Sequence, residues 1–254
     1  TTLYSTVTTV RAARGDILDR NGKVLVGNRA SYDLVFNHFV IKSANNRNEY
    51  LYTLLKKCEE LGVSHQDHLP ITASRPFEYT LSQYSTAWQR YFQNYMVDKS
   101  WDPDITAPLL IQKMRELYEL PETWTEEEAR AVIGLRYEFD LRGVTNLPSY
   151  VFISDVNSEN LAAILELNTP GLMVESSTVR EYHTQYAAHI LGYMGGMDDK
   201  DWAKYKKEGY AMDALIGQSG FEEAFEGYLH GIDGQRLDKV TKEGTIVSQQ
   251  YIEG

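Results

Sequence analysis

Four groups of residues have the types and spacing to do chemistry. Asp198-Asp199-Lys200-Asp201, with His183 and His189 upstream, offers oxygen and nitrogen ligands for a hard metal ion or a hydrolytic water. No two of them fall at a diagnostic ligand spacing such as H-E-x-x-H, so a solvated loop running into a helix cap at Asp199 or Asp201 explains them as well, and no metal is expected. Gly217-Gln218-Ser219-Gly220 precedes a helical pattern and has the look of a phosphate cradle. It lacks the lysine of a P-loop and does not fit G-x-G-x-x-G, so its glycines read as turns and points of close backbone approach. Cys58, the single cysteine, falls with Leu51, Leu54, Leu55 and Leu61 on one helical face and reads as a buried thiol. Tyr84, Trp88, Tyr91, Phe92 and Tyr95 form an aromatic stripe at helical spacing. It serves either as core or as a platform for a sugar or peptide, and core packing is the expectation. No Ser-His-Asp or Cys-His arrangement can be assembled, which leaves a hydrolase with a scattered site as a further alternative.

The elements that position these groups follow from periodicity. Asp19-Arg20-Asn21-Gly22 between Ile17-Leu18 and Lys23-Val24-Leu25-Val26 predicts a hairpin with a type I′ turn at Asn-Gly. Tyr32, Leu34 and Phe36 alternate with Ser31, Asp33, Val35 and Asn37 and predict a strand with one buried face. A helix is predicted over 48–61 and stops at Gly62. The stripe gives another, and Thr106 is placed to cap a third, with Pro108 in its first turn. Thr125 and Glu128 are spaced as a capping box for a fourth. Strand 150–153, a helix carrying Leu161, Ile164 and Leu165 that stops at Asn168-Thr169-Pro170-Gly171, an extended run 172–179 and a helix 185–194 come next. A helix from Ser219 has Glu222 at the capping-box position and Phe221, Phe225 and Tyr228 along one face. After Gly231, a ribbon of 236–240 and 245–248 is predicted. The fold class is therefore α+β. A β-rich domain of residues 1–45 and 146–254 is interrupted by an inserted, mainly helical subdomain of residues 46–145.

The totals bound the rest. A chain of 254 residues can hold one large or two smaller domains, and 43% hydrophobic with 24% charged residues is a globular composition. A net charge of -11, with no basic cluster, repels nucleic acid and offers no attraction to an anionic membrane surface. One cysteine excludes an intrachain disulfide. No apolar run approaches the ~20 residues of a membrane span. The chain opens on Thr1 rather than Met, which reads as a cut with something removed upstream.

Several stretches, falling into three blocks, carry a family resemblance. Arg14-Gly15-Asp16-Ile17-Leu18-Asp19-Arg20-Asn21-Gly22, followed by Leu25 and Asn28, resembles the opening motif of class B penicillin-binding proteins. Arg180-Glu181-Tyr182 and Ala187-Ala188-His189-Ile190-Leu191-Gly192-Tyr193 resemble the second block, with His183 where the family often has Pro. Gly217-Gln218-Ser219-Gly220-Phe221-Glu222 and Leu229-His230-Gly231-Ile232-Asp233-Gly234 resemble the third. The blocks occur in the family's order. Ser-x-x-Lys and Lys-Thr-Gly or Lys-Ser-Gly are absent from the sequence, and Ser-x-Asn, at Ser43-Asn45 and Ser158-Asn160, means nothing without them. A transpeptidase needs that serine and a lysine one helical turn away to take its proton.

The resemblance implies a non-catalytic pedestal or dimerisation domain that needs no cofactor. It implies a transpeptidase domain after Gly254, a single membrane anchor before Thr1, and a place on the extracytoplasmic side of the membrane. The implied partners are that transpeptidase domain, the membrane polymerase of lipid-linked glycan and other elongation or division proteins, with a homodimer as a further option. Arg14, Gly15, Asp19, Arg20, Gly22, Arg180, Tyr182, Gly217, Gly220, Glu222, Gly231 and Gly234 are the expected structural and partner-coupling residues. Arg14, Asp19, Arg20, Arg180 and Glu222, charged residues beside turn glycines, are expected to form an ion-pair network joining the blocks.

Overall fold

The computed structural model describes residues 3–145, 147–184, 186–241 and 246–254. In chain order the elements are β1 (Leu3–Val10), β2 (Ile17–Leu18), β3 (Val24–Phe36), α1 (His38–Ser43), α2 (Arg47–Leu61), α3 (Thr86–Asp98), α4 (Ala107–Leu117), α5 (Glu126–Val144), β4 (Tyr150–Ile153), α6 (Ser158–Leu165), β5 (Leu172–Tyr182), α7 (Ala188–Leu191), β6 (Met194–Gly196), α8 (Asp199–Tyr205), β7 (Leu215–Gly217), α9 (Gly220–Ala224), α10 (Glu226–Leu229), β8 (Gly234–Thr241) and β9 (Ile246–Ile252). The strands form a sheet β1-β8-β9, a sheet β2-β3-β4 in which β5 also pairs with β3, and the pair β6-β7. This is the mixed α+β class read from the periodicity.

Two compact units result, one of Thr1–Leu34, Ser154–Asn157 and Val174–Gly254, the other of Val35–Ile153 and Ser158–Met173. The expected limits at 45 and 146 fall elsewhere, the second on a residue outside those described. The helical unit reaches further because ring packing recruits its flanks. Phe36 lies 5.1 Å from Phe139, 6.0 Å from Tyr150 and 5.5 Å from Phe152.

In the first unit the hairpin forms with a different turn. Gly22 has φ +82° while Asn21 is not among the positive-φ residues, the Gly22 amide donates to the Asp19 carbonyl, and Asp19 N–H donates to Lys23 O. That is a three-residue connection with a single left-handed glycine, not a type I′ turn. Strict alternation in β3 also fails. Ser31 and Val35 are buried with Leu34 and Phe36, whereas Tyr32 is 48% exposed. Ser31 is drawn in by donating to Asp155 Oδ1 at 2.7 Å. β1 was not foreseen. It pairs antiparallel with β8 from Leu3↔Thr241 to Val10↔Gly234, and β8 pairs antiparallel with β9 from Gln235↔Ile252. Gln185 and Thr245, the expected starts of a helix and a strand, lie outside the described residues.

Two predicted helices are shorter than read. The 185–194 pattern yields only α7, because Ala187 and Gly192, at φ +60° and +82°, turn the chain at both ends. The pattern from Ser219 breaks at Phe225 into α9 and α10. The capping box does not form: Ser219 makes no side-chain cap bond, and the Glu222 carboxylate that would reach back to the Ser219 N–H is engaged by two arginines instead.

The helical unit is built on α5. Its capping box forms as read, with Glu128 N–H donating to Thr125 Oγ1 and Thr125 N–H to Glu128 Oε2, at 3.1 and 2.8 Å. Val132, Ile133, Leu135, Tyr137, Phe139 and Leu141 are buried, so α5 is enclosed nearly all round. Against it lies α2, closed by a left-handed Gly62, with Leu51, Leu54 and Cys58 buried. Burial pushes the Cys58 thiol up to about 11. Thr106 makes no side-chain cap bond at α4, contrary to the reading. In the stripe Phe92 and Tyr95 are buried, and the Trp88 indole is stacked on the His68 ring at 3.9 Å. α5 also takes charge into the core. Glu138 is fully buried and accepts from His68 Nδ1 at 2.6 Å and from the Arg142 guanidinium, while Arg130 forms a two-armed pair with Asp67 at 3.1 Å on both arms.

His38, in the first turn of α1, has a buried Nε2 without a partner among the described residues. Burial, then the charges of Lys42 and Arg142, lowers its pKa from 6.5 to about 4. Between these values the unfolded chain binds the proton and the folded chain does not. The stabilisation is complete above pH 6.5 and is lost as pH falls through 4. Discounted for partial solvent access, the loss is about 1–2 kcal/mol. Relative to His38→Phe, which has no proton to take up at this position, the wild type's urea midpoint is expected to fall as pH is lowered from 7 to 4.

Candidate functional site

Arg14 sits on the loop between β1 and β2, Arg180 near the end of β5 and Glu222 on α9, and all three side chains meet. Arg14 Nε donates to Glu222 Oε2 and Arg180 Nε to Glu222 Oε1, each at 2.7 Å. Arg14 Nη2 adds the Glu222 carbonyl at 2.9 Å and the Glu226 carboxylate at 2.8 Å. Both arginine side chains are 9% exposed, Glu222 is 0% and Glu226 is 3%. Two cations and two anions thus share one dry cluster in which each glutamate satisfies several donors. Breaking such a group by removing one member costs far more than its net contribution to stability.

The cluster ties together segments far apart in sequence. Arg180 Nη1 donates to Gly15 O at 2.8 Å and to Asn28 Oδ1 at 3.3 Å, and Asn28 Nδ2 donates to Arg14 O at 2.6 Å. Gly15 N–H donates to Leu229 O at 2.7 Å. Tyr182 Oη donates to Glu222 Oε1 at 3.3 Å, and Tyr210 Oη to Glu226 Oε1 at 3.2 Å. Burial alone would lower the Arg14 pKa, but hydrogen bonds and charge from Glu226 and Glu222 hold it above its ordinary value. Burial, reinforced by Glu222, raises that of Tyr182.

Gly217 closes the arrangement from β7. Its N–H donates to Glu226 Oε2 at 2.8 Å, and a Cβ there would lie 2.0 Å from the Glu222 carbonyl oxygen. Only glycine lets β7 approach α9 so closely. Gly220 opens α9, while Gly231 follows α10 and Gly234 starts β8 opposite Val10. Asp19, Arg20 and Gly22 stand apart at the hairpin tip. Asp19 Oδ1 accepts from the Lys23 and Asn21 amides at 2.9 and 2.7 Å, which holds its pKa below the ordinary carboxylate value. Arg20 is exposed. A carboxylate saturated by its own turn has no need of a distant arginine, so the expected five-member network contains three of its members. Glu226 and Tyr210 were not foreseen. The signal for Glu226 was its place four residues after Glu222, where a helix sets two carboxylates on one face.

The other candidate chemistry is spent on structure. Asp198, not Asp199 or Asp201, caps α8, in a capping box completed by Asp201. No group of three His, Cys, Asp or Glu residues among those described could hold a metal ion. In the glycine stretch Gly217 N–H is held by Glu226, and Gln218 N–H donates to Tyr193 O at 2.8 Å, so neither amide is free for a phosphate. No described helix is long and apolar enough to cross a membrane.

Fold and cluster define a class of protein, an α+β module in which a buried arginine–glutamate cluster locks loop, strand and helix together. The chain belongs to the penicillin-binding protein dimerisation domain family, whose family model matches residues 9–253. It is 35% identical over 83 residues to the peptidoglycan D,D-transpeptidase MrdA of Acinetobacter baumannii, a match covering 32% of this chain and 12% of that protein. With MrdA of Haemophilus influenzae identity is 28% over 149 residues, 52% of this chain and 23% of the relative. The chain therefore matches less than a quarter of the length of these curated relatives. Among solved structures, penicillin-binding protein 2B of Streptococcus pneumoniae strain 5204 aligns with a TM-score of 0.54 at 23% identity, covering all of this chain and 40% of that one, a likeness of fold.

Proposed function

We propose that this chain is the non-catalytic pedestal of a peptidoglycan transpeptidase, positioning a penicillin-binding domain that follows it and coupling that domain to the proteins that build the glycan strand. The reading rests above all on the buried Arg14–Glu222–Arg180 cluster. It draws one residue from each of the three blocks by which the sequence resembles class B penicillin-binding proteins, and it uses them to fix backbone orientation rather than to present reactive groups. The relatives' name, D,D-transpeptidase, supports the parent activity, and the missing Ser-x-x-Lys leaves that activity to another part of the parent. On this reading the parent carries one membrane anchor and works on the extracytoplasmic face, and its partners include the membrane glycan polymerase and other elongation or division proteins. The aromatic-stripe alternative is weakened by the His68 ring stacked on the Trp88 indole.

The test is competition. The purified chain is expected to displace the full-length parent from the polymerase encoded by the same genome, and to take up no fluorescent penicillin. Arg180→Ala, assayed below its melting temperature, is expected to weaken displacement by at least about tenfold, a loss of roughly 1.4 kcal/mol. Displacement unaffected by Arg180→Ala removes the coupling role, and acylation of the chain removes the non-catalytic one.

A further inference from the structure

A cleft of about 320 Å³ opens in the first unit among α8, β7 and α9, at the lower end of the volumes that ligand pockets occupy. Asp201 and Lys204 line it from α8, Gly217 from β7 and Glu223 from α9. Its walls are held in place. Asp198 and Asp201 close the first turn of α8 with each other's carboxylates, and Glu222 of α9 is wholly buried and clamped by two arginines. That clamp leaves the residues around Glu222 facing solvent. Phe221, Phe225 and Tyr228, which periodicity sets on one helical face, are 41%, 46% and 89% exposed, and Glu223 is exposed as well. The charges in the cleft do not neutralise one another. Lys204 Nζ donates to Tyr205 Oη at 2.9 Å and lies 4.2 Å from the centre of that ring. Among the described residues it forms no ion pair with Asp201 or Glu223, although all three line the cleft. Asp201 gives Oδ2 to the Asp198 amide at 3.2 Å, which leaves Oδ1 for another donor. The Glu223 carboxylate has no partner among the described residues.

We propose that this cleft binds a free α-amino acid whose side chain carries a second ammonium group, as that of lysine does. Lys204 takes the ligand's carboxylate, and Glu223 and Asp201 take its two ammonium groups. The site goes beyond the pedestal role and does not depend on it. Charge selects this ligand class. One lysine and two carboxylates give the cleft an excess of one negative charge, and the chain as a whole carries -11, so a ligand with a net positive charge is favoured and an acidic one repelled. A molecule bearing both signs satisfies all three side chains. A plain anion faces two carboxylates, and a plain amine faces the Lys204 ammonium. The same ammonium disfavours a divalent cation, and no described group of three His, Cys, Asp or Glu residues could hold one. Size agrees, since a cleft at the lower end of the ligand range takes a single amino acid and not a folded partner. Because Lys204 and Glu223 are exposed, their attraction for the ligand is partly screened, so binding is weak and falls with added salt.

Isothermal titration of the 254-residue chain at low salt, with L-lysine and D-lysine as separate arms, tests this. At least one hand is expected to bind with a Kd of about 0.1–1 mM. Three probes each remove one feature of the ligand. Cadaverine lacks the carboxylate, norleucine lacks the side-chain ammonium and glutamate reverses the side-chain charge, and each is expected to bind at least about tenfold more weakly. Glu223→Gln and Lys204→Met are likewise each expected to raise the Kd for lysine at least about tenfold. Both positions are exposed, so both variants should melt with the wild type, and a loss of binding in them is not a loss of fold. Absence of binding by either hand of lysine up to about 10 mM overturns the proposal, as does binding indifferent to both substitutions. Cadaverine, norleucine or glutamate bound as tightly as lysine overturns it too, because the cleft then does not read all three charges of the ligand.

Discussion

Glu222→Ala is expected to destabilise the first unit by about 3–5 kcal/mol, a fall in melting temperature of roughly 10 °C or more for a chain of this size. The carboxylate has no exposed surface and accepts from Arg14 Nε, Arg180 Nε and Tyr182 Oη. Its removal leaves Arg180 with two carbonyl-type acceptors, Gly15 O and Asn28 Oδ1, and no anion, in a place that water scarcely reaches. Arg14 keeps Glu226, so its deficit is smaller. A double-mutant cycle separates the pair from its surroundings. Arg180→Ala with Glu222→Ala is expected to cost less than the sum of the single changes by about 2 kcal/mol, because the second removal abolishes the charge that the first left stranded. Circular dichroism melts of the four proteins measure it. An additive double mutant would mean that the arginine and the glutamate are independent, against the geometry.

Gly192→Ala is expected to be at least as damaging, about 3 kcal/mol or more, for a different reason. Gly192 has φ +82°, a conformation an L side chain adopts at a cost, and a Cβ there would lie 1.8 Å from the Ser219 carbonyl oxygen. That oxygen belongs to backbone and cannot rotate away. Relief requires α7 and α9 to part, and α9 carries Glu222. Gly196→Ala, at the end of β6 four residues on, is the control, since nothing lies within 4 Å of its added methyl. It should melt within about 0.5 kcal/mol of the wild type. Equal effects at the two positions would show that close backbone approach is not what Gly192 provides.

Much of this was legible before any coordinates. The helices of the second unit announce themselves because tertiary packing there agrees with local preference. Gly62 stops α2, Thr125 and Glu128 start α5, and the apolar spacing between them is helical. The first unit is harder because its short elements are decided by contacts across hundreds of residues. Glu222 stands where a capping box wants it, and a local reading sends its carboxylate to Ser219. Two arginines, 208 and 42 positions away in sequence, offer it more. The same competition broke the helix at Phe225 and turned its rings outward. Asp19 shows the reverse case, a carboxylate read as a network member but satisfied by the two amides of its own turn. β1 escaped notice because its partner, β8, lies more than 220 residues on. A run of Thr and Val with no turn signal of its own does not declare what it will pair with.

The sheet β1-β8-β9 has a mechanical consequence. Since β8 runs antiparallel to both neighbours, β1 and β9 point the same way, with Leu3 at one end of the sheet and Ile252 at the other. Opposite Thr241 and Gln235 of β8 respectively, at about 3.3 Å per residue the two lie some 20 Å apart along the strand direction. Tension applied between Leu3 and Ile252 therefore runs along the strands. It loads the hydrogen bonds of both ladders together, in shear, instead of peeling them open one at a time. A tether pulled from both sides through this sheet would yield only when a whole ladder gives way.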